Sequence, residues 1–202
     1  MSDNLRIERL RGAEIATRLS ELASLRIRVF REFPYLYDGD EAYERQYLQT
    51  YINAPDSFVA LVWDGDRAVG ATSAIPLADE VEDLRRPFER QGYDIERIFY
   101  CGESVLLPEY RGRGLGVRFF EEREGHARRL GRFDLICFCA VQRPADHPRR
   151  PTDYQPLDEF WRKRGYTPRP ELTTTFSWRD LDETAESPKP MLFWAKPLEK
   201  SA

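Results

Sequence analysis

Residues 108–116 read Pro-Glu-Tyr-Arg-Gly-Arg-Gly-Leu-Gly, and this is the segment whose residue types and spacing could do chemistry. Gly112, Gly114 and Gly116 alternate where the apolar run Val105-Leu106-Leu107 gives way to a helical pattern. Glycine lacks a Cβ, so the backbone can curl until several N–H groups point at one spot. The first turn of the following helix adds unpaired N–H donors and the positive end of its dipole. Together these features predict a socket for a phosphate or pyrophosphate, with Arg111 and Arg113 as mobile positive charge at its rim. Two nucleotide motifs fail on residues. The dinucleotide pattern needs glycine at 117, where Val117 stands, and a P-loop needs Gly-Lys-Ser/Thr, which is absent.

The elements that must position this loop follow from periodicity. Leu5 to Leu10 alternates as a strand would. From Gly12 to Arg31, Ile15, Leu19, Leu22, Leu25 and Val29 recur on one helical face, which ends near Phe33-Pro34. A second helix is predicted over Glu41–Asn53, with Tyr43, Tyr47 and Tyr51 spaced i, i+4, i+8. The β-rich runs 57–63 and 68–76 flank Asp64-Gly65, a hairpin signal. Residues 78–95 read as a charged, partly helical excursion, and 98–107 as a strand leading to the loop. The chain continues as a helix over 117–130 and a near-continuously apolar strand over 134–141, as expected of a parallel strand covered on both faces. A proline- and arginine-rich loop covers 142–156, a short helix runs from Leu157 to Arg164 and stops at Gly165, and closing strands cover about 171–178 and 191–196. With no repeat or linker tract, one domain over 1–202 is the simplest count.

Composition narrows the class. Hydrophobic residues make up 41% and charged residues 33%, the profile of a soluble globular chain. The net charge of −4 gives no nucleic-acid footprint, no apolar run is long enough for a membrane span, and the N-terminus has no signal-peptide core. No nucleic-acid partner, no membrane partner and a cytoplasmic location are therefore expected. The three cysteines have no metal-like spacing and read as small buried hydrophobes. His126 reads as a surface pair with Glu122, and no metal is expected.

On these residues the chain resembles the GNAT family of N-acetyltransferases. Its signature, Arg/Gln-x-x-Gly-x-Gly/Ala, is matched by Arg111-Gly112-Arg113-Gly114-Leu115-Gly116, preceded by Val105 to Tyr110 as an apolar strand end. Phe160 to Tyr166 is similar to the family's aromatic-x-x-x-Gly-Phe/Tyr segment, and the order of elements matches over nearly the whole chain. The resemblance implies an α/β fold with a mixed, mostly antiparallel central sheet, two splayed parallel strands and flanking helices. It implies acetyl-CoA as co-substrate in a gap between the strands of 97–107 and 133–141. Backbone groups near Val105 and Leu106 would meet the pantetheine and the acetyl carbonyl, and Arg111, Gly112, Arg113, Gly114, Leu115 and Gly116 the pyrophosphate. The reaction implied is direct acetyl transfer to a primary amine of a small molecule or peptide.

Such an amine must arrive neutral, which costs roughly 4–5 kcal/mol for a lysine-like group at pH 7. Glu103, eight residues before Arg111, is the candidate base; a carboxylate facing solvent or paired with an arginine is the equally weighted alternative. The family's acid is usually a tyrosine at the position of Trp161, which cannot protonate a thiolate. Either Tyr154 takes that role or the thiolate leaves unassisted. The Trp161 departure keeps open a non-catalytic acyl-CoA sensor or interaction module on the same fold; an oxidoreductase using a nicotinamide cofactor is disfavoured by Val117. Phe30, Phe33, Tyr35 and Tyr37 beside Asp38, Asp40 and Glu41 would suit a cationic acceptor, whereas Arg143, His147, Arg149 and Arg150 would suit an acidic one or the 3′-phosphate of CoA. Packing and solvation explain both sets more simply. Monomer or homodimer is left open.

Overall fold

The structure, a computed structural model, describes residues 5–199. β1 (Leu5–Arg11) pairs antiparallel with β2 (Phe58–Asp64), which turns at Gly65-Asp66 into β3 (Arg67–Pro76). The predicted first helix divides. Gly12–Arg18 is a 3-10 segment, and the α-helix proper is α1 (Leu19–Phe30). Local side-chain bonds compete with helical geometry there: the Gly12 amide donates to Ser57 Oγ at 3.1 Å, and the Thr17 hydroxyl to the Glu14 carbonyl at 2.7 Å. α2 (Glu41–Asn53) starts at Asp40, whose carboxylate accepts from the Ala42 and Tyr43 amides. Its buried face is Glu44, Leu48 and Tyr51, while Tyr43 is 52% exposed, so of the tyrosine stripe only Tyr51 is fully buried.

The excursion holds α3 (Glu82–Arg90), followed by β4 (Ile98–Tyr100) and β5 (Ser104–Leu106). Next come α4 (Leu115–Leu130), β6 (Leu135–Val141), α5 (Asp158–Arg162), β7 (Thr167–Trp178) and β8 (Ser187–Pro197). The closing strands are longer than predicted, extending through proline-bearing segments along the β7–β8 edge. The sheet runs β1-β2-β3-β4-β6-β8-β7, with β5 beside β3, and among the described residues only β4 and β6 pair in parallel. α1, α2 and α3 cover one face, where Leu22, Leu25, Leu48, Tyr51 and Phe88 pack with Tyr100, Cys137 and Phe193. α4 and α5 contribute to the other, where Phe120, Ala127, Phe160 and Trp161 meet Phe99, Phe138 and Trp194. Among the described residues, no helix is long and apolar enough to cross a membrane.

The expected single strand over 98–107 is broken, and the break shapes the molecule. β4 aligns Tyr100 with Ile75, but β5 aligns Ser104 with Thr72, a one-residue slip. Gly102 N–H donates to the Ser73 carbonyl and Ser73 N–H to the Glu103 carbonyl, each at 3.1 Å, so two residues oppose one. This β-bulge bends the strand away from its parallel neighbour. The last bond joining it to β6 is Cys101 N–H to the Cys137 carbonyl at 2.8 Å. Beyond that point β5 pairs only with β3, and β6 only with β8, leaving a gap between them.

Candidate active site

The gap has one wall with backbone groups turned into it. Leu107 N–H donates to the Val69 carbonyl, and Ser73 N–H to the Glu103 carbonyl. By antiparallel alternation, residues 103, 105 and 107 direct their backbone groups to β3, whereas Ser104 and Leu106 direct theirs towards the gap. Val105, named with Leu106 as a source of freed backbone groups, therefore spends its own on the sheet; its fully buried side chain is core. Leu106 is the residue with main-chain groups on the open side. Its carbonyl accepts from Arg111 Nε at 3.2 Å, and the same guanidinium meets Glu32 at 2.8 Å. Arg111 thus ties β5 to the end of α1, where a mobile rim charge was expected.

The glycine loop closes the end of the gap. Gly112 and Gly114 have φ of +74° and +83°, a left-handed conformation that side chains resist, and a Cβ at either would meet nothing within 4 Å. α4 begins at Leu115, two residues earlier than predicted, which places Leu115 and Gly116 in its first turn. The first bond of that turn is Arg118 N–H to the Gly114 carbonyl at 3.1 Å. Among the described residues, the amides of Gly114, Leu115, Gly116 and Val117 have no acceptor within the chain. They open at the positive end of the helix dipole, which is the chemistry a diphosphate requires. Arg113 lies 5.1 Å from the Tyr110 ring centroid. Tyr110 in turn donates to Asp64 at 2.7 Å, and Arg67 meets Glu109 at 2.9 Å, so the approach to the loop is braced against the hairpin.

Glu103 sits on the bulge and is buried. Its Oε2 accepts from Arg26 and, at 3.2 Å, from the Tyr47 hydroxyl; Arg26 also binds Glu44. Of the two alternatives weighed for Glu103, the arginine pair is present. Its Oε1 accepts no hydrogen bond among the described residues. Tyr47 lies 3.1 Å from the Tyr51 hydroxyl, which donates to Glu80 Oε1 at 2.9 Å. Burial, opposed by the Tyr51 hydroxyl and the Val81 amide, pushes the Glu80 carboxyl up to about 7. Burial raises both tyrosines as well, reinforced by Glu103 at Tyr47 and by Glu80 at Tyr51. Nearby, Tyr100 lies 3.2 Å from Cys139 Sγ. On the opposite face, Arg123 of α4 donates to Ser104 Oγ at 2.8 Å and to the Glu103 carbonyl at 3.3 Å, pinning the bulge.

Sequence reasoning missed Arg26, Glu44, Glu80 and Arg123. A signal existed for the first two: Arg26 follows Leu22 by four residues, Glu44 precedes Leu48 by four, and each puts a charge on a buried helical face.

Among the described residues, the remaining candidates make no hydrogen bond to Glu103 or Leu106. Tyr154 packs edge-on against Phe33 at 4.6 Å, with Arg150 4.9 Å from its ring centroid, and no hydrogen bond among the described residues joins it to Glu103 or Leu106. Burial raises its hydroxyl, Arg150 partly opposing this. Trp161 stacks edge-on with Phe138 and Trp194, each at 5.0 Å. Arg143 does not present its charge to a ligand: it binds Asp180 at 2.8 Å and the carbonyls of Pro34 and Tyr35 at 2.7 and 2.8 Å. Asp38 pairs with Arg31 and Arg179, and Glu41 with Arg45, so with Asp40 capping α2 the acidic cluster is structural. His126 is buried, not at the surface, stacked on Phe58 with Nε2 3.0 Å from the Asp56 carbonyl, while Glu122 pairs with Arg9 and Arg118. Among the described residues, no group of three His, Cys, Asp or Glu side chains could hold a metal ion.

The sequence pattern of the acetyltransferase (GNAT) family matches residues 21–152. In fold, the chain is similar to ribosomal-protein-alanine N-acetyltransferase from Brucella melitensis, with a TM-score of 0.60 at 15% identity over 96% of this chain and 99% of that one. It is similar to an acetyltransferase of the GNAT family from Streptococcus pneumoniae, with a TM-score of 0.59 at 13% identity over 97% and 100%. It is also similar to yncA of Salmonella typhimurium, whose structure holds acetyl-CoA, with a TM-score of 0.57 at 11% identity over 98% and 96%. No curated protein is matched by sequence.

Proposed function

The chain belongs to the acetyltransferase (GNAT) family, and from that premise we propose that it transfers an acetyl group from acetyl-CoA directly to a primary amine of a small molecule or peptide. The observation that carries this reading is the set of four unpartnered amides, Gly114 to Val117, at the end of a gap lined by Leu106. Acetyl-CoA supplies an activated thioester when bound. Gly114, Leu115, Gly116 and Val117 would hold its diphosphate, and the gap between β5 and β6 its pantetheine arm. The Leu106 N–H is turned towards the gap to receive developing oxyanion charge, an effect worth up to a few kcal/mol. Glu103 offers Oε1 as the acceptor for the amine's proton, while Arg26 binds the other carboxylate oxygen. Positioning and proton handling are then the chain's own contributions. For departure of the thiolate, Tyr154 is the proposed acid, since Trp161 has no proton suited to that task.

The test is calorimetric binding of acetyl-CoA followed by thiol release with a panel of amines. Binding with amine-dependent thiol release supports the transferase. Binding with no thiol release on any amine favours an acyl-CoA sensor, the reading that Trp161 keeps alive. No binding defeats both.

A further inference from the structure

We propose that Glu103, Tyr47, Tyr51 and Glu80 form one hydrogen-bonded relay that takes up the proton of the acceptor ammonium at Glu103 and stores it on Glu80. This rests on the acyl-transfer reading and adds a destination for the proton. The relay is continuous: Glu103 Oε2 to Tyr47 hydroxyl is 3.2 Å, Tyr47 to Tyr51 is 3.1 Å, and Tyr51 to Glu80 Oε1 is 2.9 Å.

Counting protons shows what the chain can do. Three oxygen–oxygen gaps need three protons, and the tyrosines supply two. With both carboxylates ionised, each tyrosine donates outward and the Tyr47–Tyr51 gap has no proton. A third proton completes the chain, resting on Glu80 or on Glu103. The Glu103 carboxyl and the Tyr47 hydroxyl turn so that the proton taken up at Oε1 faces Tyr47, and each proton then crosses its own gap: the Glu103 carboxyl gives its proton to Tyr47, Tyr47 to Tyr51, and Tyr51 to Glu80. The N–H bond broken is the ammonium's, the O–H bond finally formed is on Glu80, and both tyrosines end neutral.

The surroundings set the direction. The Glu103 carboxylate is bonded directly to the Arg26 guanidinium, which it shares with Glu44. Glu80 faces Tyr51 and Tyr47 from α2, the Val81 amide, Tyr100 from β4, Cys137 and Cys139 from β6, and Glu103 with Arg26 at longer range. None of these except Arg26 is a cation, so the stored proton rests at the Glu80 end. Its carboxyl, raised to about 7 by burial, supports the same assignment. Tyr47, Tyr51 and Glu80 are positioning residues, acting on the acceptor only through Glu103.

Two measurements on the full chain test the proposal. Infrared difference spectra recorded across a pH titration, without substrate, should show a protonated-carboxyl band that disappears through neutral pH. The band should be missing in Glu80→Gln and displaced in Tyr51→Phe. Its absence in the unaltered protein, or indifference to Tyr51→Phe, overturns the relay. Kinetically, Tyr51→Phe and Glu80→Gln should slow acetylation of a strongly basic amine by at least about tenfold, with Glu80→Gln also losing the acidic limb of the kcat/KM profile. A hydroxylamine-type acceptor, already neutral at pH 7, should react at nearly unchanged rate. Equal slowing of both acceptors would mean a purely structural role and overturn the relay. Failure of the unaltered protein to acetylate any amine would instead strike the acyl-transfer reading, with the infrared band still deciding whether the four residues share a proton.

Discussion

The hydroxyl of Tyr51 lies 1.9 Å from where a Cβ on Gly102 would stand, and Ser73 Oγ lies 2.8 Å from the same point. Residue 102 must therefore be glycine for α2 to reach across the bulge to Glu80. Gly102→Ala should displace Tyr51 and break its bond to Glu80. We expect a loss of about 2 kcal/mol or more in urea unfolding, in line with overpacking of a filled core, together with reduced turnover. An alanine variant as stable and as active as the parent would mean that the site tolerates a shifted Tyr51.

Glu80 makes stability depend on pH. Its carboxyl is raised from 4.5 to about 7 in the folded protein, so the native state binds the proton more tightly than the unfolded chain. The stabilisation is fully present below about 4.5 and is lost as pH rises through about 7. Over that window the contribution is on the order of 3 kcal/mol. Glu80→Gln should flatten the dependence, seen as a smaller fall in unfolding free energy between pH 5 and 8 than in the unaltered protein. Parallel curves would show that Glu80 does not titrate there.

Gly114 tests the diphosphate cradle. With φ at +83°, Gly114→Asp places a carboxylate beside the free amides and strains the backbone by about 1–2 kcal/mol. Acetyl-CoA affinity by calorimetry should fall by more than tenfold while the fold persists by circular dichroism. Unchanged affinity would move the diphosphate away from this loop.

Arg143 separates structure from recognition. Because its guanidinium is spent on Asp180 and two carbonyls, Arg143→Ala should leave a buried carboxylate exposed to no solvent and cost about 3–5 kcal/mol in denaturant unfolding. Lys189, 3.3 Å from Asp180, should soften that loss. A change in KM for an acidic acceptor at constant stability would return Arg143 to a substrate role.

The legible parts of this protein are the local ones. α2 begins and ends where the sequence placed it, because Asp40 caps it and its buried face repeats at helical spacing. The glycine loop was legible because its conformation is imposed by missing Cβ atoms within a few residues. The break at residues 101–103 was not, since apolar residues on either side read as one strand and only pairing with Ser73 reveals the extra residue.

Sequence alone determined the glycine loop at the head of α4, the order of helices and strands, and the place of Glu103 on the strand before that loop. Only the tertiary structure decided what that carboxylate can do. Arg26 lies 77 positions from Glu103, Tyr47 lies 56 from it, and Tyr51 lies 29 from Glu80. No local pattern encodes such distances; they close because α1 and α2 pack onto the bulge. Burial there removes water from the charges, and each must then find its partner within the fold.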